Sequence, residues 1–294
     1  MEYWIVVAFL EPDQLLEIGR EAERCGFTGI MVSDHLSYPR DITSRYPYSD
    51  DGKPMFAPET PWPECWCTLS ALGAVTTDLR LSTGVYIPVA RDILTVAKSA
   101  GTTDVLSNGR VSMGVGVGWM REEFEITGQD FDTRGPRLTE MMQALRALWQ
   151  PGWVEFHGTY YDIPPMQLAP APERPLPLWV GGGSRAARRR AAEIGDGWLA
   201  PGLFELETAL QEAAAMRQLV SAAGRADARF DILMGLEDPS DVAAARRLAD
   251  AGVTGIMCAP YLLADEEDKS FTSALGRKLD ALRQFGDQVI ARQR

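Results

Sequence analysis

At 294 residues the chain can bury one large core or two modest ones. A composition 46% hydrophobic and 24% charged excludes a disordered or low-complexity chain, and no run approaches the roughly 18 apolar residues of a membrane helix. Its 29 basic and 41 acidic residues leave a net charge of -12, which repels polyanions, so neither nucleic acid nor a membrane is an expected partner.

The first segment, MEYWIVVAFLEPDQ, is apolar but lacks a basic start and a small-residue cleavage site. It reads as a strand over 3–9 rather than an export signal, and a cytoplasmic protein is expected. Helical spacing follows over 12–25, then a strand over 28–33. Residues 36–62 hold five prolines and no sustained periodicity, which predicts a long loop. A helix over 63–77, a strand over 80–86, a helix over 93–106, a strand over 111–116 and a helix over 137–149 come next. A second long loop is expected over 150–176, with a small hairpin in GWVEFHGTYYDI. The remaining strands are predicted over 177–181, 196–200, 230–235 and 254–259. They alternate with helices over 184–194, 206–223, 241–251 and 273–292, and Pro12 and Pro239 suit first helical turns.

Two segments echo each other: AERCGFTGIMVSD at 22–34 and LADAGVTGIMCAP at 248–260. Each reads as a helix end, a glycine cap and a Thr-Gly-Ile-Met strand. Eight strand-helix units fill about 250 residues of a (β/α)8 TIM barrel, leaving about 44 for insertion loops. One domain over 1–294 is therefore expected, with insertions at the C-terminal face, where the first must lie. A doubly wound open sheet shows the same alternation and differs in closure.

His35 follows the second strand directly in Val32-Ser33-Asp34-His35, so barrel geometry delivers Asp34 and His35 to the catalytic mouth. In a chain with one other histidine, His157, this position suits a general acid or base; His157 reads as an exposed turn residue. The fifth barrel strand ends in Gly181-Gly182-Gly183-Ser184 before a helix, where backbone N–H groups and the helix dipole favour phosphate. Arg185 adjoins that turn, and of Arg188, Arg189 and Arg190 at most two can face it. Gly114, Gly116 and Gly118, before Trp119, have the wrong spacing for a dinucleotide fingerprint. They allow either a flat ring close to the backbone or a bend at the rim, and Gly84-Val85 opens the mouth in the same way. Tyr38, Tyr46, Tyr48, Trp62 and Trp66 either line an apolar pocket or pack the first loop onto the barrel. Four cysteines, Cys25, Cys65, Cys67 and Cys258, and two histidines are too scattered for a metal site, and reduced thiols are expected.

The runs SDHL at 33–36, TGVYIPVARDI at 83–93, DVLSNGRVSMGVGVGWMREEFEITG at 104–128 and PLWVGGGSRAARRRAAEIGDGW at 177–198 together resemble the bacterial luciferase-like monooxygenase superfamily. Within it the chain looks most like the coenzyme F420-dependent oxidoreductases. The resemblance implies a (β/α)8 barrel with a cofactor ring across its mouth and Asp34 at the ring's polar edge. It further implies His35 as proton donor or acceptor, a non-prolyl cis bond at Gly84-Val85, and phosphate held by Gly181, Gly182, Gly183 and Ser184. Trp119, Tyr38 and Trp62 would face a small-molecule substrate, and a homodimer is implied. Relatives that oxidise sugar phosphates carry a tryptophan four residues after the histidine and a glutamate after the fourth strand. Here those places hold Pro39 and Trp119, which argues against that activity. The expected reaction is hydride transfer between F420 and an organic substrate. The alternatives are an FMN-dependent monooxygenase, which inserts one oxygen atom from O2, and a non-catalytic flavin-binding protein.

Overall fold

In the computed structural model, which describes residues 1–263 and 273–293, strands and helices alternate along the chain. The order begins β1 (Glu2–Val6), α1 (Leu15–Arg24), β2 (Gly29–Val32), α2 (Cys65–Val75), β3 (Arg80–Tyr86), α3 (Ile93–Leu106) and β4 (Val111–Val115). It continues with α4 (Arg121–Ile126), α5 (Arg134–Leu148), β5 (Val154–His157), β6 (Asp162–Met166), β7 (Leu178–Gly181) and α6 (Arg185–Ile194). The chain ends in β8 (Gly197–Phe204), α7 (Leu206–Ala222), β9 (Asp231–Leu236), α8 (Val242–Asp250), β10 (Gly255–Cys258) and α9 (Leu275–Phe285). Eight strands close a parallel barrel in the order β1, β10, β9, β8, β7, β4, β3, β2. Because β1 pairs with both β2 and β10, the open doubly wound sheet is excluded.

Most barrel strands are buried on both faces, so β2 (GIMV), β9 (DILMGL) and β10 (GIMC) read as largely apolar runs without alternation. Inside, Trp4, Met31, Trp179, Leu199 and Leu233 form one packed layer, and the Trp4 and Trp179 rings meet edge to face at 5.2 Å. Glycine is required opposite these indoles. A Cβ on Gly29 would lie 2.3 Å from the Trp4 ring, and one on Gly197 would lie 2.6 Å from the Trp179 ring. The helices pack outside; α1 buries Leu15, Ile18 and Ala22 and turns Glu17 and Arg20 to solvent. Burying a side chain such as Ile18 is worth about 1.5–3 kcal/mol. Both echoed segments end their helices on a glycine of positive φ, Gly26 at 83° and Gly252 at 86°.

Several boundaries differ from expectation. The 12–25 segment opens as a 3-10 turn at Pro12–Gln14, and the last helix gives way to a π turn over Gly286–Ile290. Pro239 lies outside α8, whose N-cap is Asp241; that carboxylate accepts from the N–H groups of Ala243 and Ala244. α5 begins before Pro136, which sits in the first turn where its missing N–H has no intrahelical acceptor. The two insertions also part company. Residues 36–62 lie at the C-terminal mouth, whereas the second carries the hairpin β5–β6 along α5 and reaches the opposite rim, where Arg174 donates to the Gly109 carbonyl. A cavity of about 550 Å³ opens at that opposite rim, but its Arg146 is paired with Asp196 and its Arg110 donates to four carbonyls. No helix among the described residues is long and apolar enough to cross a membrane.

Candidate active site

The mouth is built from the strand ends outward. After β2 the chain turns through Ser33, whose hydroxyl donates to the Gly84 carbonyl at 3.0 Å. The Gly84–Val85 peptide is cis, as the resemblance implied. Val85 is wedged between two neighbouring strands. A Cβ on Gly116 would lie 2.7 Å from Val85 Cγ2, and one on Gly181 would lie 2.5 Å from Cγ1. The room left by the alternating glycines is thus taken by the chain's own groups. Gly114 faces Leu199 and the Thr83 carbonyl, Gly116 faces Val85, and Gly118, at φ +77°, faces Ile87 and Phe124.

Asp34 is 7% exposed and fully engaged. Arg91 grips both its oxygens at 2.7 and 2.8 Å, and the Ile87 N–H donates to Oδ2 at 2.9 Å. Arg91 lies over the Tyr86 ring at 4.3 Å, which desolvates the pair. Arg91 was not singled out from sequence. Its signal was a cation just past one strand beside an acid just past its parallel neighbour.

His35 stands next to this pair with 10% of its side chain exposed. Its Nδ1 lies 3.2 and 3.3 Å from the two carboxylate oxygens of Glu123, which projects from α4 and is 5% exposed. Oε1 of Glu123 also accepts the N–H groups of Leu36 at 2.6 Å and Ser37 at 3.1 Å. The ring is flanked by Phe56 and Trp62, each at 4.8 Å, and by Trp119 at 5.8 Å. An indole and a carboxylate therefore do reach the imidazole, from positions 62 and 123, although the places first considered hold Pro39 and Trp119. α4 was not expected, because six residues are too few to display a helical apolar period.

The loop over 36–62 is held down by the first turn of α4. Glu122 accepts from the Thr43 N–H at 2.7 Å, its hydroxyl at 2.8 Å and the Ser44 N–H at 3.1 Å; the Arg121 N–H donates to Ser44 Oγ. Most of the loop aromatics pack on the site. Tyr38 meets Phe56 at 5.7 Å, and Phe9 meets Trp62 at 5.2 Å. Trp66 belongs to the core, against Tyr86 at 5.3 Å. A continuous aromatic line runs from His35 through Trp119 and Tyr46 to Tyr48, whose hydroxyl lies 4.0 Å from where a Gly182 Cβ would stand. The imidazole and the triple-glycine turn thus share one rim.

That turn is rigidly made. Gly182 has φ +115°, its carbonyl accepts the Trp198 indole N–H at 2.9 Å, and the Gly183 carbonyl accepts Arg188 Nε at 3.1 Å. Ser184 caps α6 by accepting the Ala187 N–H. Gly183, Arg185, Arg188, Arg189 and Leu219 line a depression of about 360 Å³. Arg190 instead turns inward to Thr139 and the Gly135 carbonyl. His157 is exposed at the end of β5, 2.6 Å from Asp162 across the hairpin. All four cysteines are free, and no cluster of three or more His, Cys, Asp or Glu is arranged for a metal among the described residues.

The sequence matches the family described as luciferase-like monooxygenase over residues 7–284. An uncharacterised protein of Mycobacterium tuberculosis is 35% identical over 282 residues, 94% of each chain. An F420-dependent glucose-6-phosphate dehydrogenase of Amycolatopsis mediterranei is 30% identical over 192 residues, 64% of this chain and 53% of that one. A monooxygenase from Streptomyces bottropensis superposes over the whole of both chains with a TM-score of 0.74 at 19% identity, a likeness of fold.

Proposed function

Because the chain belongs to the luciferase-like monooxygenase family, we propose that it is a coenzyme F420-dependent oxidoreductase acting on a small organic substrate. The observation that carries this reading is the shared rim. A buried imidazole on one side and a basic glycine turn on the other are joined by a line of aromatic rings. The turn suits a phosphorylated cofactor, since it opens a helix N-terminus beside Arg185, which has no ion-pair partner among the described residues, while Arg188 and Arg189 are paired with Glu212 and Glu193. F420, when bound, supplies a carbon centre that donates or accepts hydride.

The chain's own residues do the rest. Gly181, Gly182, Gly183 and Ser184 would hold the phosphate, with Arg185 and Arg189 beside it. Gly84 and Val85 would support the ring, and the ion pair of Asp34 with Arg91 would stand at its polar edge. His35 Nε2 would take or return the proton that accompanies hydride transfer. Trp62, Trp119 and Tyr38 would enclose the substrate and exclude water. The Trp62 indole N–H is buried with no hydrogen-bond acceptor among the described residues, which suits an oxygen-bearing substrate. Preference for the deazaflavin over FMN rests on the F420-dependent relative and the SDHL and GVGWMREEF motifs. Exposed Leu94, Val105 and Leu106 on α3 support a homodimer.

Titration with F420 and with FMN, each followed by fluorescence, tests the proposal. Saturable F420 binding is expected, together with substrate-dependent interconversion of its oxidised and reduced forms. His35→Ala should retain binding and lose turnover about 100-fold or more. Tight FMN binding with oxygen uptake would overturn the reading in favour of a monooxygenase, and F420 binding without any turnover in favour of a flavin-binding protein.

A further inference from the structure

One buried carboxylate serves two masters here. Glu123 Oε1 accepts the Leu36 and Ser37 N–H groups where the loop over 36–62 leaves His35, while Oε2 stands 3.2 Å from His35 Nδ1. We propose that Glu123 is a positioning residue that fixes the tautomer of His35. It would hold the hydrogen on Nδ1 and leave Nε2 as the proton-accepting atom while the root of the loop is seated. The proposal rests on the reading of His35 as the proton-transfer group.

Backbone N–H groups can only donate, so Oε1 is committed as their acceptor. A carboxylate has no hydrogen to offer, so the imidazole nitrogen facing it must carry one. In the neutral ring the lone pair then falls on Nε2, which has no hydrogen-bond partner among the described residues. Turning the ring over would set a carbon against the carboxylate, and Phe56 and Trp62, both at 4.8 Å, crowd that rotation. Glu122 anchors the same loop at Thr43 and Ser44, further from the imidazole, and supplies a matched control.

Glu123→Gln makes a sharp prediction. The amide oxygen stays with the Leu36 and Ser37 N–H groups, so the NH2 group takes the place of Oε2 and donates toward Nδ1. Oε1, 3.3 Å from Nδ1, already accepts two N–H groups and has no lone pair to spare, so the NH2 in place of Oε2 sets the ring: Nδ1 accepts and the hydrogen moves to Nε2. The tautomer inverts, although the loop contacts are kept.

The chain has two histidines, so selective ¹⁵N-histidine labelling gives two ring systems, with His157 identified by its loss in His157→Gln. Ring ¹⁵N–¹H correlation spectra of the full chain, at a pH where the rings are neutral, should show His35 mainly as the Nδ1–H form in wild type and in Glu122→Gln. Glu123→Gln should be mainly Nε2–H. An Nε2–H majority in wild type, an unchanged tautomer in Glu123→Gln, or inversion in Glu122→Gln would each overturn the proposal. Should Glu123→Gln not fold, the wild-type tautomer decides. The measurement uses no cofactor, so its failure leaves the hydride-transfer reading to its own titration, and failure of that titration leaves the tautomer result standing.

Discussion

Replacing Gly181 by alanine tests whether Val85 fills the mouth floor. A Cβ at 181 would sit 2.5 Å from Val85 Cγ1, about 0.9 Å inside the 3.4 Å lower edge of ordinary contact, but 3.6 Å from Val85 Cβ. The branched valine has no flexible end to retreat, and Gly116 hems in its other methyl group. Such overpacking costs about 1–3 kcal/mol. Gly181 is not among the glycines of positive φ, so alanine suits its backbone and recovers about 0.4–1 kcal/mol through the unfolded chain. Gly181→Ala should therefore destabilise wild type by a net of about 0–2.6 kcal/mol, centred near about 1.3 kcal/mol. In a Val85→Ala background only ordinary contacts remain, 3.6 Å to the Cβ of residue 85 and 3.7 Å to the Val115 carbonyl oxygen, and the same substitution should become neutral or stabilising by up to about 1 kcal/mol. Urea midpoints of the four cycle members at constant slope measure this. An equal cost of Gly181→Ala in both backgrounds would refute the wedge.

The remaining predictions concern anchoring. Burial opposes ionisation of Glu122, but hydrogen bonds from its own and the Thr43 backbone N–H, and from the Ser44 and Thr43 hydroxyls, hold its carboxyl down to about 2 from 4.5. Its folded value lies below its unfolded one, so the anchorage is complete above about pH 4.5 and lost as pH falls toward 2. Pepsin cleavage within 38–62, normalised to a short reference peptide, should rise across that window, and Glu122→Gln should flatten the rise; an equal slope in both proteins contradicts the assignment. Arg190→Ala, at a residue 8% exposed, should cost about 1.5–3 kcal/mol by stranding the Gly135 carbonyl and Thr139. Arg189→Ala, whose side chain is 72% exposed, should stay within about 0.5 kcal/mol, and the opposite ranking in thermal melts would show that the helix faces inward differently.

The barrel was legible because its strands are short β-branched runs punctuated by glycine caps, signals that depend on neighbours in sequence. The strand over 80–86 was read to the residue. Tertiary acceptors left no such trace. Glu123 meets His35 across 88 positions, and nothing local in MREEFE shows which glutamate turns inward. Arg91 likewise acquires its meaning only when β2 and β3 lie side by side. The alternating glycines after β4 were read as room for a ring or a bend, but a sequence does not show which side chain will claim such room; here Val85 and Ile87 do. The loop aromatics were ambiguous for the same reason, and Trp66 separated from the others only once α2 was seen to face the core.

The aromatic line between the imidazole and Gly182 belongs largely to one segment, rooted beside the histidine and tipped by Tyr48 near the glycine bend. A single strap therefore ties two distant points of the rim together, and a substitution that unseats its root beside the histidine would be felt at its tip by the glycine bend.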